Sequence, residues 1–293
     1  MGAELSKAVV DGILTGGVYA LMAAGLTLIF GVMEIINIAQ GIFVVLGAYL
    51  SYLLEVHLGI DPFLGLVITM PLMFGVGVLI EWGFVRPLKA QNRSALSILV
   101  TFAVAIVIEG ILTQLFSADL KTLTAWYVDR SVHVLGFYLP YIYLLGFALA
   151  VVLLVALYLF LYRSRGGKSI RASVQNRVGA ELVGININRV SALTFGIGAA
   201  VTAAGGMVFG ATNSFNPNSG YDLISRLLVI IVLGGLGSIG GALVASVVAL
   251  VIEDVTAVLW SPVWASTMFF AVLVVVLLVR PNGLFGRVAA RAQ

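Results

Sequence analysis

The sequence predicts an all-α, polytopic membrane helix bundle. Three observations carry that prediction. Hydrophobic residues make up 61% of the 293-residue chain and charged residues only 10%, where a soluble domain carries about 25% charged residues. The mean hydropathy is +1.13, a value that water does not support and a bilayer does. The charges sit between apolar runs of about 20 residues, the length that crosses about 30 Å of hydrocarbon at about 1.5 Å per residue. No polar block is long enough for a soluble domain, so residues 1–293 read as a single transmembrane domain.

The apolar runs place spans at about 8–30, 35–54, 62–85, 95–117, 140–162, 190–211, 224–237, 239–259 and 264–279. The N-terminal stretch MGAELSKAVVDGIL has one lysine and two acids. That is a poor n-region for a cleaved signal peptide, so the first run reads as a retained span. The seventh and eighth runs form one apolar stretch interrupted by GGLGSIGG at 234–241. It reads either as two full spans or as a broken, re-entrant half-helix pair, giving eight or nine spans. Many of the 33 glycines stand at helix-contact spacing, including Gly12–Gly16, Gly206–Gly210 and Gly237–Gly241. Small residues at that spacing let helix backbones approach in lipid, which points to a compact bundle.

Lysine and arginine set the sides. Residues 163–189 carry Arg163, Arg165, Lys168, Arg171, Arg177 and Arg189 against the single acid Glu181. That loop reads as cytoplasmic, as do the tail with Arg280, Arg287 and Arg291 and the segment with Arg86, Lys89 and Arg93. The loop 118–139 balances Lys121 and Arg130 against Asp119 and Asp129 and reads as external. Loops 55–61 and 253–263 hold acids without lysine or arginine, which allows the outside. With nine spans the N-terminus falls outside.

Several function classes drop out. There are no cysteines, which removes thiolate catalysis and cysteine metal sites. His57 and His133 lie far apart in polar loops. A pI near 9.2 invites a nucleic-acid reading, but the basic residues follow the membrane pattern instead. RGGKS at 165–169 resembles half a phosphate loop, yet Tyr162 stands where a Walker A sequence needs glycine. No catalytic constellation is assembled, so the chain does not read as an enzyme, and no cofactor or metal site is expected in it.

Polar groups inside the spans are the candidates for function, because a charge at mid-bilayer costs about 2.5–3.5 kcal/mol and normally faces a bundle interior or a wet cavity. They are Glu34, Asn37, Gln40, Glu81, Glu109 and Gln114. Asn37 and Gln40, three apart, fit one side of a helical turn, and Gly25 and Gly31 flank a place where a helix can unwind. Broken helices near the midplane build substrate sites in many transporters; the alternatives are helix–helix hydrogen bonding or a turn between the first two spans. Glu34 reads as a helix end, and Glu81 as the partner of Arg86. The candidate substrate path is Tyr19, Thr27, Asn37, Gln40 and Glu109. In the loop 163–189, Ile170, Val174, Val178 and Leu182 recur every four residues and Gly184 follows as a helix stop. An amphipathic helix there suits a lipid surface or a groove on a soluble partner.

These segments resemble the permease subunits of the branched-chain amino acid family of ABC importers, over nearly the whole chain. The resemblance rests on GGVYALMAAGLTLIFGVMEIINIAQGIFVVLGAYL, IEWGFVRPLKAQ, GKSIRASVQNRVGAELVGININRVSALTFGIGAAVTAAGG, LLVIIVLGGLGSIGGALVASVVALVIE and LVRPNGLFG, in the family's order. The absence of a long N-terminal extension resembles the shorter of the two permeases. The resemblance implies a second homologous permease, two ABC ATPase subunits that hold ATP and magnesium, and a periplasmic substrate-binding protein, in a bacterial or archaeal inner membrane. It implies that residues 170–186 form the coupling helix, with Arg171, Ala172, Ala180, Glu181 and Gly184 assigned to ATPase coupling. One departure stands out. Many members have histidine in the element written here Asn37-Ile38-Ala39-Gln40-Gly41, and Gln40 cannot switch charge near neutral pH. A stand-alone secondary transporter driven by an ion gradient is the competing expectation, with Glu109 as its proton-cycling acid.

Overall fold

The computed structural model describes residues 2–88, 93–128, 130–134 and 137–286. Lys89, Asp129, Arg287 and Arg291, used above to assign sides, lie outside the described residues. The described chain forms α1 (Gly2–Met33), α2 (Gln40–Leu58), α3 (Pro62–Ile80), α4 (Arg93–Phe116), α5 (Tyr141–Arg163), α6 (Arg165–Gln175), α7 (Arg177–Leu182), α8 (Ile187–Thr212), α9 (Gly220–Gly234), α10 (Ile239–Leu259) and α11 (Pro262–Val279). A π-helical turn, Glu81–Val85, extends α3, and a short antiparallel hairpin pairs β1 (Ser131–Val134) with β2 (Phe137–Pro140).

Eight of the helices are long and apolar enough to cross a membrane. The ninth expected span is α9, which has only 15 residues. The expected half-helix is therefore α9 alone, while α10 is a full span. Between them the chain reverses on Gly235 and Gly237, whose φ values of 95° and 82° disfavour any residue with a Cβ. Gly237 thus belongs to a turn, not to a helix-contact pair. The other two GxxxG pairs are contacts: Gly12 and Gly16 meet Val251 and Val247 of α10, and Gly206 and Gly210 meet Val44 and Ala48 of α2.

Those contacts also fix direction. α1 is antiparallel to α10, with Gly12 beside Val251 and Gly31 beside Gly237. It is antiparallel to α8 as well, with Met22 against Gly205 and Ile29 against Gly198. α2 and α8 run parallel. The ends of α3, α5 and α11 and the starts of α8 and α10 therefore share one end of the bundle with α6 and α7; this end carries the basic residues. The N-terminus of α1 lies at the opposite end. Residues 213–234 make a ninth pass, starting where Phe215 pairs with Lys121 and ending at the basic end.

α1 is the central post. Its apolar residues from Leu21 to Met33 are nearly all buried, in one cluster with α2, α8, α9 and α10. Much of α4, α5 and α11 faces outward with large apolar side chains such as Phe102, Val152 and Leu278, the surface expected of helices against lipid.

Two expectations need correction. α1 does not unwind between Gly25 and Gly31. A Cβ on Gly25 would stand 2.5 Å from the Gly198 carbonyl oxygen, so this glycine serves close helix packing. The break falls later, at 34–39, where Glu34 leaves the helix at φ 54°. The loop expected at 253–263 is also much shorter: α10 runs to Leu259, so Glu253 and Asp254 are helical residues inside the bundle.

Candidate functional site

The break at 34–39 carries the chain back into the protein. Glu34 is exposed at the end of α1, as expected, but Ile35, Asn37, Ala39 and Gln40 are buried. Gln40 donates to Thr202 Oγ1, and Asn37 Nδ2 donates to Gln40 Oε1 at 3.0 Å. Thr202 lies ten residues before Thr212 ends α8, so the first turn of α2 begins about 15 Å below that end of the bundle at about 1.5 Å per residue. Asn37 and Gln40 therefore bridge α2 to α8 in the protein interior. Both are fully buried and line no open cavity. Thr27 is buried too, with a hydroxyl that finds no partner among the described residues.

A second helix starts at the same depth. A Cβ on Gly41 would lie 2.1 Å from the Gly220 carbonyl oxygen, so only glycine lets the first turns of α2 and α9 touch. The first N–H groups of a helix have no acceptor within it, and they carry the positive end of its dipole. Here two such ends meet inside the bundle. Beside them Ile38, Ile42, Ala105, Glu109, Pro217, Tyr221 and Ile224 line a small cleft. Tyr221 and Glu109 share the lining of this cleft, and Thr101 Oγ1 accepts from the Ile38 amide at 3.1 Å. Glu109 thus stands beside the junction, on the same cleft as Tyr221. Gln114, further along α4, faces outward. Tyr19 stands apart, in a polar cavity nearer the end that carries the N-terminus.

At the basic end, the single amphipathic helix expected over 170–182 is two helices. Asn176 leaves helical geometry at φ −155° and caps α7 through a bond from the Gly179 amide at 2.8 Å. Ile170 packs into the core, while Val174, Val178, Leu182 and Val183 are exposed. Gly184, at φ 86°, ends α7 with Gly184 N–H bonded to the Glu181 carbonyl and Ile185 N–H to that of Ala180, a Schellman stop. Ala180 is buried and Glu181 lies 3.9 Å from Arg177. Ala172 is partly covered on α6. Arg171 turns inward: its Nε donates to the Leu161 carbonyl at 2.9 Å, and its guanidinium sits 4.1 Å from the Tyr162 ring centre. It locks α6 beneath the end of α5.

Glu81 is fully buried and paired with Arg86 at 2.8 Å, and Arg86 also donates to the Asn188 carbonyl. This ties the end of α3 to the start of α8. Thr202, Gly220, Tyr221 and the charged group Asp222, Arg226, Glu253 and Asp254 escaped sequence reasoning. The signal for the last was present: an arginine inside an apolar run, four residues after an aspartate.

The model of the family described as branched-chain amino acid transport system / permease component matches residues 8–277. Among individual proteins, the high-affinity branched-chain amino acid transport system permease protein BraD of Pseudomonas aeruginosa is 29% identical over 95% of this chain and 94% of its own. The corresponding LivH permease of Escherichia coli is 29% identical over 94% of each. A probable branched-chain amino acid transport permease LivH of Methanocaldococcus jannaschii is 26% identical over 96% of this chain and 92% of its own. With eight membrane-length helices and a match over nearly its whole length, the chain belongs to the family of branched-chain amino acid transport permease components.

Proposed function

We propose that this protein is a permease subunit of an ATP-driven ABC importer that takes up branched-chain or related hydrophobic amino acids from a substrate-binding protein. The observation that carries the reading is the meeting of the buried starts of α2 and α9 beside the Glu109–Tyr221 cleft, which opens at the bundle surface where Tyr221 is exposed. Helix N-termini at mid-depth suit a substrate carboxylate. Glu109 offers a countercharge for its ammonium, and Ile38, Ile42 and Ile224 suit an aliphatic side chain. Asn37, Gln40 and Thr202 hold the α2 start in place, so their role is positioning.

In this reading the basic end is cytoplasmic. ATPase subunits dock on the exposed stripe Val174, Val178 and Leu182, and a second, homologous permease completes the path. Gly31, at the end of α1, stands within reach of both Val174 on α6 and Gly237 in the α9–α10 turn. A push on α6 and α7 therefore arrives next to both interrupted elements, which gives ATP hydrolysis elsewhere a route to the substrate cleft. The ion-gradient alternative names Glu109 as its proton-cycling acid, and Glu109 stands on the small α2–α9 cleft, where it serves equally as a countercharge.

The test is reconstitution with the neighbouring permease and ATPase genes in proteoliposomes. Uptake of leucine should require ATP and the binding protein, and Val178→Asp should abolish both ATPase co-purification and uptake. Uptake that persists without ATPase subunits and follows an ion gradient would overturn the reading.

A further inference from the structure

A cavity of about 430 Å³ lies between α1, α5, α8, α9 and α10, in the half of the bundle away from the basic end. It is separate from the α2–α9 cleft: α9 stands between them, presenting Asp222 and Arg226 to the cavity and Tyr221 and Ile224 to the cleft. Its size falls within the range of small-molecule sites, about 300–1,000 Å³. One wall is apolar, with Val18, Met22, Phe209 and Leu250; the other is charged.

The charges do not balance. Arg226 Nη1 bonds Glu253 Oε2 at 2.7 Å, and Arg226 Nε bonds Asp222 Oδ2 at 3.3 Å. The guanidinium also touches Ser266 and lies 5.3 Å from the Phe269 ring centre. Each of its three nitrogens donates to an acceptor within the protein, which engages three of its five N–H groups. Asp254 borders the same cavity and has neither hydrogen bond nor ion pair among the described residues. A third carboxyl group beside one arginine is surplus to the two ion pairs above, and a charge held there without a partner is costly in a membrane helix, so the group favours either a proton or a cationic partner. The phenols of Tyr19 and Tyr143 and the hydroxyl of Thr15 stand on the same lining. They can accept from a cationic donor but cannot neutralise Asp254.

We propose that this cavity binds a primary ammonium group, with Asp254 as its counter-charge and the Val18–Met22–Phe209–Leu250 wall receiving an aliphatic chain. The fitting ligand is a small aliphatic amine or the amino end of a hydrophobic amino acid. The site is distinct from the translocation cleft and rests on the importer reading only for the suggestion that an amino acid is its natural source. Because α9 forms one wall of both sites, an occupant here is reciprocally coupled to the position of α9.

The chain contains no cysteine, so Ser214→Cys in the full transporter complex, in nanodiscs, places a single reporter of this chain on the cavity lining, at an exposed position. The readout is its labelling rate by a small, membrane-impermeant thiosulfonate. Isoamylamine, which has the ammonium and no carboxylate, should slow labelling. Isocaproate, which has the carboxylate and no ammonium, should not. Asp254→Asn should weaken the amine protection by more than about tenfold, the scale of one charge-assisted hydrogen bond. Normal uptake by the Ser214→Cys protein establishes that it is folded, and labelling itself needs no transport. A site that fails while ATP-driven uptake stands therefore leaves the importer reading intact. Equal protection by sodium or potassium chloride alone would reassign the site to inorganic cations. Protection by isocaproate, or by none of these probes, would also overturn the proposal.

Discussion

At the scale of single residues, polar groups and glycines in this bundle are decided by what they touch. Gln40 is held from both sides, by Asn37 and Thr202. Gln40→Leu leaves two buried partners unsatisfied and should lower stability by about 1–3 kcal/mol, read as a fall in the melting temperature of the purified complex. An unchanged melting temperature would show that the network carries no weight. Thr27 is the contrasting case. Its buried hydroxyl has no partner among the described residues, so Thr27→Val should be neutral or stabilising in the same assay. Glycines divide in the same way. Gly41→Ala drives a Cβ into the Gly220 carbonyl and should cost about 1–3 kcal/mol or more. Gly31 has no neighbour closer than 3.7 Å to a Cβ, so Gly31→Ala should gain up to about 1 kcal/mol from the better helix former.

At the scale of elements, what the sequence reveals and what it hides follow from range. Seven of the spans were legible within a few residues, because their apolar length is a local property of each run. The start of α2 was not. Residues 35–39 are apolar enough to continue a helix, and they are pulled out of helical geometry by long-range partners: Thr101 takes the Ile38 amide and Thr202 takes the Gln40 side chain. No window of 20 residues contains that information. The split of the segment 170–182 was hidden for a similar reason. The four-residue repeat from Ile170 to Leu182 runs straight across Asn176, while the cap formed by Asn176 depends on a single side chain. Asn176→Ala should therefore cost about 0.5–2 kcal/mol and merge or fray α6 and α7. Its signature is a loss of ATPase stimulation by loaded binding protein with ATPase subunits still bound. Stimulation equal to the wild type would show that the split is irrelevant to coupling. Of the candidate site, Asn37, Gln40 and Glu109 were named from sequence because polarity in an apolar run is visible. Their grouping with Gly220 and Tyr221 was not, because those residues lie more than a hundred positions away.

At the scale of the whole molecule, the five membrane-length helices α1 to α5 stand between the N-terminus and the α6–α7 surface and place them at opposite ends. Single cysteines at Glu4 and at Val178, both exposed, should be labelled from opposite faces of sealed vesicles, with Val178→Cys reached from the cytoplasmic face only. Labelling of both from one face would require an even number of passes between residues 4 and 178 and would undo the assignment of every interior group. The tail carries one more consequence. The amides of Leu284 and Phe285 bond the carbonyls of Leu233 and Gly234, the last ones of α9. During synthesis, then, α9 waits half-finished until the ribosome has released some fifty further residues. A nascent chain stopped just after α11 would leave those two carbonyls without their amide donors, so the last turn of α9 closes only once the tail is in place.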